Sequence, residues 1–140
     1  MLRRTFPVGF ILALGFFAHV GVLTAVEPSQ LNKPLRVYIG TYTDGRSEGI
    51  YVAEFDASTG ALSTPRLAAK SQNPSFLAIH LNGKYLYAAN ELGEFQGQRS
   101  GGLSAFSIDP ASGELKLLNQ VASGGGAPCH ISLDPQAKYL

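Results

Sequence analysis

The stretch Phe76-Leu77-Ala78-Ile79-His80-Leu81-Asn82-Gly83-Lys84-Tyr85-Leu86-Tyr87-Ala88-Ala89-Asn90 decides the fold. Two short apolar runs, 76–81 and 84–90, flank Asn82-Gly83, a pair whose ease at positive φ suits a tight two-residue hairpin turn. The same grammar returns downstream. Pro74-Ser75-Phe76-Leu77-Ala78-Ile79 and Lys84-Tyr85-Leu86 match Pro128-Cys129-His130-Ile131-Ser132-Leu133 and Lys138-Tyr139-Leu140. Upstream, Val37-Tyr38-Ile39-Gly40-Thr41 matches Leu86-Tyr87-Ala88-Ala89-Asn90.

A second hairpin follows the first. Leu103 to Asp109 and Leu115 to Val121 flank Asp109-Pro110-Ala111-Ser112-Gly113, where the Asp side chain can accept from backbone donors and Gly takes the left-handed position. Its counterpart is Phe55-Asp56-Ala57-Ser58-Thr59-Gly60-Ala61-Leu62. Four short runs per unit, rich in β-branched and aromatic residues and without strict alternation, read as strands covered on both faces. Helix-period stretches are absent after residue 25. A period near ~50 residues belongs to propeller blades. The fold class expected is therefore all-β: a β-propeller of four-stranded antiparallel blades, with about two to two and a half blades in this chain. The first unit lacks its first strand, the second is complete, and the third breaks off inside its second strand. A ring closes with typically four to eight blades, so the chain is read as an amino-terminal part of one that does not fold stably alone.

Composition agrees with a packed body. Of 140 residues, 45% are apolar and 15% charged, which excludes disordered and coiled-coil classes. The formal charge of +1 supplies no field for a phosphate backbone, so nucleic acid is not an expected partner. Cys129 is the single cysteine, and no Cys-His spacing of the zinc kind appears. Arg3 and Arg4 precede an apolar heart, Val8 to Ala18, and small residues end at Ala25. That order reads as a secretory signal peptide over 1–25, with an uncleaved anchor as the rival. Residues 26–34 form a linker and 35–140 the partial propeller. The mature chain is expected to be exported, periplasmic or secreted, without stable membrane association after cleavage.

The strings Val37-Tyr38-Ile39-Gly40-Thr41-Tyr42-Thr43, Gly49-Ile50-Tyr51-Val52, Asn73-Pro74-Ser75-Phe76-Leu77-Ala78-Ile79-His80, Tyr85-Leu86-Tyr87-Ala88-Ala89-Asn90-Glu91 and Gly126-Ala127-Pro128-Cys129-His130-Ile131-Ser132 closely resemble the opening of the bacterial lactonase family. The resemblance covers nearly all of residues 35–140. It implies a seven-bladed propeller related to the propeller-type 6-phosphogluconolactonases. It also implies a lactone hydrolase that acts on a small-molecule sugar lactone without metal or nucleotide cofactor. A non-catalytic propeller that binds a protein or glycan through its rim loops is the alternative.

A meander brings Tyr42, Asp44, Arg46, Asn73, Asn90, Glu91, Arg99, Cys129 and His130 to one rim, and both hairpin turns to the other. Lactone hydrolysis needs a base for the attacking water and donors for the developing oxyanion. His130, at the start of an inner strand, is the candidate base, because imidazole exchanges a proton near neutral pH; the competing reading is a histidine that bonds a neighbouring strand. Glu91 either orients that histidine or acts as the base itself. Arg46 and Arg99 lie in polar loops and are read as solvent-facing. Ser123-Gly124-Gly125-Gly126 lacks the Gly-Lys-Ser/Thr ending of a nucleotide loop and reads as a flexible linker between blades. Cys129 is read as buried filler and His80 as a turn residue.

Overall fold

The computed structural model describes residues 34–140; the signal peptide expected over 1–25 and all but the last residue of the linker expected over 26–34 lie outside the described residues. Eight strands follow one another without an intervening helix: β1 (Leu35–Ile39), β2 (Gly49–Asp56), β3 (Ala61–Leu62), β4 (Arg66–Lys70), β5 (Pro74–Ile79), β6 (Tyr85–Asn90), β7 (Gly102–Ile108) and β8 (Leu115–Ala122). They form two antiparallel sheets.

In the first sheet both β3 and β4 pair with β2, at Phe55↔Leu62 and at Ile50↔Ala69. They are one outer strand interrupted at residues 63–65, where Pro65 has no N–H to give a ladder. The first unit thus has the three strands expected of it. The second sheet runs β5-β6-β7-β8 and is the complete unit.

Alternation along each strand sends every second side chain to one face. Ile50, Val52 and Ala68 of the first sheet meet Leu86, Ala88, Phe106 and Leu115 of the second, and all of them are buried. The core therefore lies between the sheets, as between neighbouring blades. At the far rim Arg36, Tyr38 and Arg66 reach across this seam. Arg36 Nη2 donates to the Pro110 and Ala111 carbonyls at 2.8 and 2.7 Å. The Tyr38 hydroxyl donates to the Gly113 carbonyl at 2.8 Å, and Arg66 donates to the Ser112 carbonyl. Turn carbonyls with no ladder partner are satisfied by the preceding sheet, which ties the two units in a fixed register.

The Asp-led turns form as their sequence predicts. Asp109 Oδ1 accepts from the Ala111 and Ser112 amides at 3.0 and 2.6 Å, and Gly113 sits at φ 76°. Asp56 Oδ1 accepts from the Ser58 amide at 2.8 Å, and Gly60 sits at φ 74°. These bonds favour the charged carboxylate. The Ser112 amide chiefly holds Asp109, and the Ser58 hydroxyl chiefly holds Asp56, below the ordinary carboxylate range. A carboxyl depressed in the folded state stabilises the fold above its unfolded pKa, near ~3.9, and that stability is lost as pH falls through the lower folded value. The full-length protein should therefore lose thermal stability below about pH 4. Asp109→Asn, which keeps an acceptor but no charge, should flatten that dependence; an unchanged pH profile of the melting midpoint would contradict the assignment.

Two details differ from expectation. Asn82-Gly83 is not a two-residue turn with both residues at positive φ, because only Gly83 has φ 68°. The loop is longer. Gly83 N–H donates to the His80 carbonyl at 2.8 Å and His80 N–H to the Tyr85 carbonyl at 2.9 Å. Asn82 instead accepts the Lys84 amide on its side chain, at 2.9 Å. The same turn recurs in the third unit, where Ala137 at φ 52° bonds the Asp134 carbonyl at 2.8 Å and Asp134 N–H bonds Tyr139 at 3.1 Å. Secondly, residues 128–133 make no ladder, although the repeat predicts an inner strand there. Among the described residues, 138–140 supply only the bond by which the Tyr139 carbonyl accepts from the Asp134 amide.

Candidate functional site

Antiparallel connectivity places the loops 40–48, 71–73, 91–101 and 123–127 on one rim, opposite the Asp-led turns. Asn73, with φ 40°, organises it. Its Oδ1 accepts from the Thr43 amide at 2.8 Å, its amide donates to Thr43 Oγ1 at 3.2 Å, and its carbonyl accepts from the Glu91 amide at 2.9 Å. One residue thus ties the loop after β1 to the end of β6. The pre-proline position recurs as Ala127, also at positive φ (51°), without an amide side chain to repeat the tie.

This tie sets Tyr42 beside Glu91. The Tyr42 hydroxyl donates to Glu91 Oε2 at 2.8 Å across the seam between the sheets. Ser75, the second residue of β5, has a buried hydroxyl that makes no hydrogen bond of full geometry. The Ser75 hydroxyl first, and the Tyr42 hydroxyl second, hold Glu91 below the usual carboxylate range against the opposing effect of burial. Glu91 in turn pushes the Tyr42 hydroxyl up. A carboxylate so placed is charged at neutral pH and is a weak base there.

His130 is exposed, and its imidazole leans on the Phe76 ring, centroids 4.5 Å apart at 51°. These are equivalent positions of successive units, so the inner starts of two blades stand side by side. No hydrogen bond joins His130 to Glu91, and among the described residues His130 bonds no neighbouring strand's carbonyl. Cys129, read from the sequence as buried filler, is exposed among the described residues.

Other residues predicted for this rim have different places. Asn90 is buried, 1% exposed, and belongs to the packing. Its Nδ2 donates to Ser71 Oγ at 2.8 Å and to the Gln72 carbonyl at 2.5 Å, while Ser104 donates to Oδ1 and is itself bonded by Gln120 at 2.8 Å. A buried polar group is tolerated only when satisfied. Asn90→Ala should strand the Ser104 hydroxyl and the Gln72 carbonyl and cost about 1–3 kcal/mol in the folded full-length protein; a denaturant midpoint equal to wild type would refute that role. Arg46, Arg99 and Asp44 are exposed and make no ion pair among the described residues. Ser123 to Gly126 is a tied connection and not a flexible linker. Gly101 N–H bonds Gly125, Ser123 N–H bonds Gly101, and Ala127 N–H bonds Leu92, at 2.7, 3.0 and 2.8 Å. Several of its polar groups are thereby used internally. His80 bridges turns of two units, with Nε2 3.1 Å from the Ala137 carbonyl.

A groove of about 510 Å³ opens between the sheets, lined by Thr43, Lys70, Gln72, Phe95 and Gln120 among others; neither Glu91 nor His130 lines it. Among the described residues no three His, Cys, Asp or Glu side chains cluster as metal ligands, and no helix is long and apolar enough to cross a membrane. Sequence reasoning missed Ser75 and the Tyr42–Glu91 bond. The signal for the latter was faint: a rim tyrosine and a rim carboxylate in loops of successive units.

The family model described as "Lactonase, 7-bladed beta-propeller" matches residues 36–140. A 6-phosphogluconolactonase of Bacillus subtilis is 46% identical over 103 residues, which is 74% of this chain and 28% of that protein. Among solved structures, a putative 6-phosphogluconolactonase of Bacteroides fragilis superposes with TM-score 0.68 at 36% identity, covering 77% of this chain and 29% of its own. The periplasmic gluconolactonase of Pseudomonas aeruginosa gives TM-score 0.65 at 33% identity over 73% of this chain and 28% of its own. The chain spans less than a third of the length of the relatives it matches.

Proposed function

Because the chain belongs to the seven-bladed lactonase family, we propose that the protein it forms is an exported lactone hydrolase that opens a small sugar lactone to the sugar acid. The observation that supports this reading is the shared rim, where the His130 imidazole lies against Phe76 of β5 and the Glu91 carboxylate, at the end of β6, accepts from Tyr42. Functional groups raised on loops of a rigid scaffold are where binding and chemistry concentrate.

In the proposed step water attacks the ester carbonyl while His130 takes its proton. The C–O ring bond then breaks in the tetrahedral intermediate, and the leaving ring oxygen receives that proton from His130, giving the hydroxy acid. No oxidant or second substrate is consumed. Glu91 is not the base in this scheme, because its neighbours hold it charged and weakly basic. Its place is to hold substrate. Export rests on the Arg3-Arg4 and Val8–Ala18 pattern and is supported by similarity to a periplasmic gluconolactonase.

The test is the opening of δ-gluconolactone and of 6-phosphogluconolactone by the full-length protein, followed as acid release. A rate well above buffer for either lactone is expected. A rate equal to buffer for both would leave the rim as a binding surface for a protein or glycan and would defeat the hydrolase reading.

A further inference from the structure

Resting on that hydrolase reading, we infer that the Tyr42–Glu91 pair is a clamp for adjacent hydroxyl groups, so that the rim selects a polyhydroxylated lactone over a bare one. Tyr42 comes from the loop after β1 and Glu91 from the end of β6, and their 2.8 Å bond spans the seam between the sheets. As a mere staple the pair would be redundant. Asn73 already joins the same two loops through its amide, carbonyl and side chain, and none of those bonds uses the Glu91 carboxylate.

Among the described residues nothing covers the pair, with Tyr42 55% exposed and Glu91 half-buried. A carboxylate offers about four lone-pair sites on two oxygens, and the only hydrogen bond of full geometry to Glu91's carboxylate among the described residues is Tyr42's. No lysine or arginine pairs with it among those residues; the ion pairs there are Arg66–Glu114 and Lys70–Glu48. Nearby, the buried Ser75 hydroxyl has no hydrogen-bond partner. A charged acceptor flanked by hydroxyls takes O–H donors well. Two oxygens of one carboxylate match two hydroxyls on adjacent ring carbons, which are the groups that distinguish a sugar lactone from a simple one. Hydrogen bonds to a charged group are the strong ones, so their loss should be visible in selectivity.

The experiment uses the full-length protein and its Glu91→Ala and Glu91→Gln variants. Two quantities are read: the ratio of kcat/KM for δ-gluconolactone over δ-valerolactone, which lacks hydroxyls, and the calorimetric affinity for the stable analogue glucono-δ-lactam. In Glu91→Ala the ratio should fall about tenfold, mainly through KM, with a similar weakening of lactam binding. Glu91→Gln should fall less, since it keeps one acceptor oxygen. Equal losses on both lactones, or an unchanged ratio, overturn the clamp. If wild type opens neither of these lactones nor 6-phosphogluconolactone but binds the lactam and Glu91→Ala does not, the hydrolase reading falls and the clamp stands. Wild type that fails to bind the lactam overturns the clamp.

Discussion

Gly40→Ala is expected to destabilise the full-length protein by about 3 kcal/mol, the upper end of what overpacking a filled site usually costs. A Cβ built at Gly40 would lie 2.0 Å from the Pro74 carbonyl oxygen and 3.3 Å from Leu77. That oxygen is backbone, at the entry to β5, so relief requires moving the first sheet against the second. The reason this position lacks a side chain is therefore the closeness of two blades. Gly45 is the matched control, since nothing lies within 4 Å of a Cβ there, and Gly45→Ala should stay within about 0.5 kcal/mol of wild type. Equal denaturant midpoints for the two variants would show that the sheets do not approach as described.

His130→Ala is expected to lower kcat for lactone opening about 10²- to 10⁴-fold, the range over which a positioned general base acts. The loss should fall on kcat, because the scheme gives His130 a proton to carry and gives substrate binding to Glu91. A melting midpoint measured beside kcat separates lost chemistry from lost packing on Phe76, the ring that the His130 imidazole touches. An unchanged kcat would remove His130 from the chemistry while leaving the fold untouched.

Much of the fold was legible because its signals are local and repeat. Asp56 and Asp109 announce the same turn through side-chain bonds to residues two and three along, and Gly60 and Gly113 close it. Asn82-Gly83 misled in detail because its pair of residues is compatible with several turns; the bonds made by His80, not the pair itself, set the longer loop. The site was legible as a neighbourhood and not as a set of contacts. Strand order puts Tyr42, Glu91 and His130 on one rim, but which side chains touch depends on the seam between sheets. That seam is fixed by Asn73, Arg36 and Tyr38, whose partners lie 18 to 75 residues away. Asn90 shows the same limit. Its sequence position is that of a strand end at the rim, and only packing reveals that Ser71, Gln72 and Ser104 enclose it.

The position of glucono-δ-lactam in crystals of the full-length protein tests the central claim most directly. The lactam should lie on the rim of Tyr42 and Glu91, with ring hydroxyls on the Glu91 carboxylate and its carbonyl facing the His130 imidazole. Density at the opposite rim, against the turns at Asn82-Gly83 or Asp109 to Gly113, would contradict the account.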